Sequence, residues 1–483
     1  MKKRILSLLL ALVMCLTLLP VVNVSAAPSS NPDTAAIESL AQEQVLSDWA
    51  IDDLIVGDTY GIYPVSWYTR DMTAPVSRGQ LIVLLAGIRN KILDTDSVVV
   101  NTELLHRFGK TMTVEQVIDV FYTFLSGYEF TADIGIKAAA AVDFMKENGI
   151  YGAVDGEQAL TETCSVEQAC VMGTRLITYL FDKLDAASKG FLWVTKSGNN
   201  TVYMLGSIHL ASTDIYPFSQ DILKAYQSSD ALGVELNLYD AEGPQKIMEL
   251  GIYTDGTTLK DHVSADTYQK AVEFAALFGY SEELISLLKP WYIYISFAAL
   301  TTTDSGDLND AAQAAALGID FNLTTNALLY GKPVLELEGY EYQGQVLDSF
   351  SDGLQEFLLN GTIDAINDLL AGKESGDAES LELALDLWRD GDADTFKQLN
   401  SLEDEYPEIY SQEEAAAEKA LMDEFIDKLI TQRDKRMADY IDNLLKAEGG
   451  ATYFIIVGSA HYISDYSVLD ILKDKGYEIT QIK

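Results

Sequence analysis

The chain has 483 residues, with 33 Lys and Arg set against 74 Asp and Glu, for a formal charge of −41. An acidic excess of that size excludes nucleic-acid binding by phosphate neutralisation and docking on anionic lipid, because there is no basic surplus to release counterions. A hydrophobic fraction of 48% supports packed cores in two or three domains, and three Cys are too few for a disulfide scaffold.

Residues 1–26 read as a secretory signal peptide. Lys2, Lys3 and Arg4 lead an apolar stretch from Ile5 to Leu19, and Val24-Ser25-Ala26 provides a small-residue cleavage site. No later stretch reaches 18 uninterrupted apolar residues, so the expectation is a secreted or cell-surface protein with no transmembrane segment after cleavage. Residues 27–35, rich in Ala, Pro, Ser and Asn, form a linker. From 36 to 187 apolar residues recur at three- and four-residue spacing, as in Leu81 to Leu85 and Ala138 to Met145, which predicts a mainly helical domain.

Two units of this helical region share an order. In the first, Asp48-Trp49-Ala50 opens a short helix, Gly57 and Gly61-Ile62-Tyr63-Pro64 end it, and Ser77-Arg78-Gly79-Gln80 caps the next helix. In the second, Ala140 to Met145 leads into Asn148-Gly149-Ile150-Tyr151-Gly152, and Ser165-Val166-Glu167-Gln168 caps a helix through Leu180. Helix, Gly-rich loop and capped helix in this order resemble S-layer homology repeats, with Val166 where the repeat usually carries Arg. The resemblance implies a cell-wall polymer as a partner. Cys164 and Cys170 lie here, either as a local disulfide or as two buried small hydrophobes.

From 188 to 483 the texture changes to strands among helices, which predicts an α/β domain. Phe191 to Thr195 and Thr201 to Leu205 flank the turn-forming Lys196-Ser197-Gly198-Asn199-Asn200 and read as a hairpin. Further strands are expected at Ala231 to Leu236, Pro333 to Leu337 and Tyr453 to Val457. Helical patterns cover Ile222 to Gln227, Thr267 to Phe278, Leu354 to Leu370 and Glu413 to Leu445. Thr301 to Asn309 reads as an exposed loop, and the acidic stretch Asp377 to Asp394 as a solvated helix pair.

Two segments of this domain repeat one pattern. Leu205-Gly206-Ser207-Ile208-His209 and Val457-Gly458-Ser459-Ala460-His461 are each an apolar strand running into Gly-Ser-x-His. Gly206 and Gly458 permit a sharp turn or a close backbone approach, and each His then stands at the carboxyl end of the sheet, where α/β proteins place their sites. These are two of only four histidines. Of the others, His106 in the helical region and His262 in a loop, Lys260-Asp261-His262, read as structural or surface residues, His262 also as a residue that could border a pocket. Imidazole is the commonest side-chain metal ligand and a general base near neutral pH.

Two His ligands need a carboxylate to hold a catalytic divalent metal. Glu235, closing the strand Ala231 to Val234, is the candidate, either as third ligand or as the base acting on water. Glu338 follows a second strand end. Arg433, on the helix before the last strand, is placed to orient substrate or charge, or else to make pairs along its helix. Ser207 and Ser459 shape the turns. No His-Glu-x-x-His or Gly-x-Ser-x-Gly is present, so zincin and serine-hydrolase routes have no support.

These residues resemble the TraB/PrgY/GumN family, which includes the Tiki proteases. Phe191 to Val194, both Gly-x-x-His segments and Gly233-Val234-Glu235-Leu236 carry the likeness. So do Tyr253 to Leu259, Lys289-Pro290-Trp291, Gly318-Ile319-Asp320, Gly331 to Val334, Leu337-Glu338 with Gln343, Val468 to Leu472 and Gly476-Tyr477. Arg433-Asp434 is similar to an Arg-Asn pair, with the Asn replaced. The resemblance implies a mixed sheet with flanking helices, akin to erythromycin-esterase and ChaN-like proteins. It also implies metal-dependent peptide-bond hydrolysis through the paired His and the acid, with manganese, cobalt or zinc as the ion. The alternative is a non-catalytic surface protein that binds a peptide, metal or haem.

Overall fold

A computed structural model of the chain describes residues 46–93, 111–128, 130, 133–136, 140–152, 159–302, 308–373, 376–399 and 412–482. The signal segment 1–26, the linker 27–35, His106 and positions 303–307 of the Thr301–Asn309 loop lie outside the described residues. The chain divides into two compact units. One ends at Ser188 and also takes in Thr213–Ser219; the other comprises Lys189–Ser212 and the chain from Gln220 onward.

The first unit is helical, with helices Ile51–Tyr60, Arg78–Leu93, Val114–Leu125, Ala141–Glu147 and Val166–Lys183. Gly61, at φ +66°, ends the first of them. Gly57 does not: it sits buried inside that helix, where a Cβ would stand 2.3 Å from Thr174 Oγ1. Its role is close packing rather than termination. Ser77 and Ser165 cap their helices as expected, their Oγ atoms accepting from the backbone N–H of Gln80 and Gln168. Thr113 forms a third such cap, with Gln116 completing the box. The segments entering these three helices are stitched together, Val76 N–H donating to Cys164 C=O and Cys164 N–H to Met112 C=O, both at 2.9 Å. Cys164 and Cys170 are free, buried thiols.

The second unit is built on a six-stranded sheet: β1 (Phe191–Ser197), β2 (Asn200–Ser207), β3 (Ala231–Val234), β4 (Val334–Glu336), β5 (Thr452–Gly458) and β6 (Ile479–Ile482), in the order β4-β3-β5-β2-β1-β6. β1 and β2 form the expected hairpin but run further into its turn, with Ser197 opposite Asn200 and Gly198 at φ +57°. β1 is antiparallel to both its neighbours; β2, β3, β4 and β5 are mutually parallel. β3 is wholly buried, and so is the second half of β2 and of β5, as continuous apolar runs in a sheet covered on both faces should be. β5, last of the parallel group in sequence, lies between β2 and β3. All four strands therefore deliver their carboxyl ends to one edge.

Some readings of this unit need correction. Thr301 and Thr302 are not exposed loop but lie buried in the short helix Ala298–Thr302, and Asn309 belongs to helix Leu308–Ala316. Lys260-Asp261-His262 is the end of a four-residue helix, Leu259–His262, and not a loop; its Thr258/Asp261 capping box closes it too quickly for any periodicity to show. Glu413 to Leu445 is helical throughout, as expected, but with a π-helical turn, Asp427–Thr431, between Gln412–Ile426 and Gln432–Lys446. The acidic stretch is helical over Gly376–Asp390 and Ala393–Leu399, yet not simply solvated, because Trp388 is completely buried.

Candidate active site at the carboxyl edge of the sheet

Each of the four parallel strands places one polar side chain within three residues of its end. In sheet order these are Glu338 after β4, Glu235 after β3, His461 after β5 and His209 after β2. The backbone holds them in register. Beyond the strands, Glu338 and Gly339 N–H both donate to Glu235 C=O at 3.0 Å, which keeps the two acids side by side. Ser459 N–H and Oγ both donate to Ser207 C=O at 2.9 Å, so the two Gly-Ser-x-His turns are fastened to each other. That approach explains Gly206, where a Cβ would meet Ser459 Oγ at 2.9 Å. Trp388 secures the same turn by donating its indole N–H to Gly206 C=O at 2.7 Å.

The two histidines are held alike. His209 Nδ1 lies 2.5 Å from Asp320 Oδ2, while Ser207 Oγ donates to Asp320 Oδ1 at 2.9 Å. His461 Nδ1 lies 2.6 Å from Asp434 Oδ1. Asp320 opens helix Ile319–Leu329, and Gly318 before it lets the two segments touch: a Cβ there would lie 2.1 Å from His209 C=O. Engaging Nδ1 with a carboxylate fixes the ring and turns Nε2 toward other partners. His461 Nε2 is buried and has no hydrogen-bond partner among the described residues.

Arg433 lies in the first turn after the π-helical segment. One extra residue in a turn retards the helix by roughly 100°, so the phase that aims Arg433 and Asp434 at the strand ends is not that of an uninterrupted helix. The guanidinium donates from Nη2 to Glu235 Oε2 at 2.5 Å and to Glu338 Oε2 at 2.7 Å, and from Nε to Glu338 at 3.0 Å. Gln343 bridges the same pair, donating to Glu235 at 3.2 Å and to Glu338 at 3.0 Å. Glu235 Oε1 accepts from Gly458 N–H at 2.6 Å, which ties this acid to the turn that presents His461. Burial would raise the Glu235 carboxyl, but Arg433, then both imidazoles and the Gly458 N–H, outweigh it and hold the group below the usual carboxylate range. Burial pushes Asp434 up, against the opposing pull of His461 and Arg433.

A family model described as the TraB/PrgY/gumN family matches residues 191–481. The chain belongs to the TraB/PrgY/gumN family. Among curated members and relatives, the chain is 29% identical over 182 residues to the uncharacterized protein YbaP of Escherichia coli, covering 36% of this chain and 65% of that one. It is 24% identical over 323 residues to metalloprotease TIKI2 of Danio rerio, covering 60% of each. A metalloprotease TIKI homolog of Nematostella vectensis is 22% identical over 319 residues, 61% of this chain and 67% of that one. The chain thus spans 60–67% of the length of these three relatives. No solved structure matches it.

The relatives named metalloproteases raise the question of a metal. Among the described residues, no three His, Cys, Asp or Glu side chains are gathered as a metal-holding group. Two donors nevertheless suit one: His209 and His461 each have Nδ1 on a carboxylate, the usual outer-layer arrangement of ligating histidines, and the Nε2 of His461 is buried without a partner among the described residues. Glu235 is different, with its oxygens engaged by Arg433, Gln343 and Gly458 N–H. His262 stands apart from these side chains. It stacks on Tyr253 at 4.5 Å and its Nε2 meets Thr257 Oγ1 at 2.9 Å.

Sequence reasoning did not assign Asp320 or Asp434 the work of holding the histidines. Both sit inside segments singled out for other reasons, Gly318-Ile319-Asp320 and Arg433-Asp434. A polar partner is expected wherever a His is buried, but nothing local says which residue it is.

Proposed function

We propose that this protein is a secreted, metal-dependent hydrolase, acting on peptide bonds at the carboxyl edge of β2, β5 and β3. The observation that carries the reading is the pair of imidazoles, each held at Nδ1 by a carboxylate, on neighbouring parallel strands beside Glu235. In this reading His209 and His461 hold the divalent ion through Nε2. When bound, such an ion polarises a carbonyl and brings the pKa of its water to about 7.

The remaining residues act on charge and position. Arg433 pairs with both Glu235 and Glu338, and beside it the Glu235 carboxyl stays ionised where burial alone would neutralise it. Glu235, through Gly458 N–H, fixes the turn that carries His461, and its negative charge lies close enough to both imidazoles to favour cations there. Gln343 keeps the two carboxylates apart in orientation while donating to each.

The test is metal analysis of the purified protein followed by digestion of a broad peptide panel, with His209→Ala and His461→Ala as controls. The expected result is cleavage that needs added manganese, cobalt or zinc and falls at least 100-fold in each variant. Stoichiometric retention of a peptide or haem with no product across the panel would instead make the protein a binder. Metal content unchanged in the double variant would remove the ligand assignment.

A further inference from the structure

The two histidine–aspartate pairs are not equivalent. Asp320 divides its oxygens between His209 and Ser207, and its side chain is 13% exposed. Asp434 is fully enclosed, His461 is 1% exposed, and the second oxygen of Asp434 takes a long contact, 3.5 Å, from Ser464 Oγ. Beyond the ring, His461 Nε2 is buried with no partner among the described residues. A neutral imidazole has one N–H and one lone pair, and which nitrogen carries the proton follows from what the other faces. A carboxylate oxygen accepts, so in the neutral ring a 2.6 Å contact between Asp434 Oδ1 and Nδ1 puts the proton on Nδ1 and leaves the lone pair on Nε2.

We infer that Asp434 is a positioning residue that fixes His461 as the Nδ1–H tautomer, making its Nε2 the enclosed lone pair of the site. This rests on the reading of His461 given above only for its consequence; the tautomer itself is a property of the chain alone. The opposite tautomer would bury an N–H donor with nothing among the described residues to receive it, which is unfavourable. A lone pair left without a partner is also a cost, but it is the state in which imidazole takes up a cation or a proton. Asp434 comes from the same helical turn as Arg433, so the π-helical segment that precedes them sets both the charge balance of Glu235 and the tautomer of His461.

The experiment is 15N NMR of the full chain labelled at histidine, without metal or substrate; with four histidines, His461→Ala assigns the resonance. The expected wild-type spectrum has a protonated, pyrrole-like Nδ1 and an unprotonated, pyridine-like Nε2 for His461. Asp434→Asn keeps an accepting oxygen and is expected to retain that pattern with a less deshielded Nδ1 proton. Asp434→Ala is expected to show a mixture of tautomers, with manganese affinity lower by about 10–100-fold. If the alanine variant does not fold, the proton shift in Asp434→Asn carries the test. An Nε2–H signal in the wild type, or an unchanged His461 spectrum in either variant, overturns the inference. Correct tautomers with no metal binding or turnover would leave it standing and remove the hydrolase reading instead.

Discussion

Glu235 in the α/β unit and Asp58 in the helical unit are both carboxylates withdrawn from water, but one faces a guanidinium and the other faces phenols. Glu235 and Glu338 share Arg433, with Gln343 and the Gly458 N–H filling remaining positions. Asp58 receives the Tyr68 hydroxyl at 2.9 Å, and Tyr63 OH lies 3.2 Å from Tyr68 OH. The outcomes have opposite sign. Glu235 is held below its usual range, whereas burial, opposed only by the Tyr68 hydrogen bond, raises Asp58 to about 6. A hydroxyl can answer the hydrogen-bonding demand of a buried acid, but only a formal charge answers its desolvation. A site meant to keep acids ionised therefore needs its arginine, and a packed helical unit can tolerate an acid that is half neutral already near pH 6.

The largest expected effect is at Arg433. Arg433→Met should cost about 3–5 kcal/mol, because it leaves two buried carboxylates facing each other without a cation. Adding Glu235→Gln and Glu338→Gln to that variant should recover most of the loss in thermal unfolding, since the unpaired charges are then gone. A single variant with wild-type stability would mean that the network is not electrostatically closed. For Glu235 itself the folded pKa is depressed, so its contribution is full above its unfolded value near 4.5 and is lost as pH falls through the lowered one.

How much of this was legible beforehand depends on how local each signal is. β2, β3 and β5 could be read because buried parallel strands are continuous apolar runs, β1 and β4 because each is a short apolar run beside turn residues, and both Gly-Ser-x-His turns because strand, glycine and histidine lie within five residues. β6 escaped because Ile479-Thr480-Gln481-Ile482 is a short, half-exposed edge strand with no such run. The π-helical turn could not be read either, since Asp427 to Thr431 keeps a helical composition on both sides. Glu235 and Arg433 were nominated from strand end and helix, but their pairing spans 198 positions. Asp320 lies 111 residues from His209, and a carboxylate in the first turn of a helix reads as a favourable dipole contact and nothing more. Trp388 was hidden in the other direction, by the acidic residues around it.

A smaller effect should follow from Tyr68→Phe, which removes the hydroxyl that donates to Asp58. The expected loss is about 1–2 kcal/mol at pH 7.5, with the Asp58 pKa moving further up. Because the neutral carboxyl needs that donor less, the loss should shrink at pH 4.5. Equal destabilisation at both values would show that the phenol matters through its contacts with Tyr63 and the Leu54 C=O and not through Asp58.

The smallest effect is also the one with reversed sign. Asp58 has a folded pKa of about 6 against 3.8 for the free group, so between those values the folded chain holds a proton that the unfolded chain has released. Stability then falls as pH rises through this window and stays lower above it. Asp58→Asn keeps an oxygen to accept from Tyr68 and carries no charge to desolvate. At pH 7.5 it should stabilise the helical unit by about 1 kcal/mol, taking the two-unit shift at 1.36 kcal/mol each and discounting it for partial exposure. Near pH 4 the gain should vanish. The same exchange at Glu235 is expected to bring no gain at pH 7.5, because there the charge being removed has a cation beside it. If Asp58→Asn destabilised the chain at pH 7.5, the acid would have to be holding a positive partner, and the contrast between a charge-balanced edge and a phenol-bound one would lose its basis.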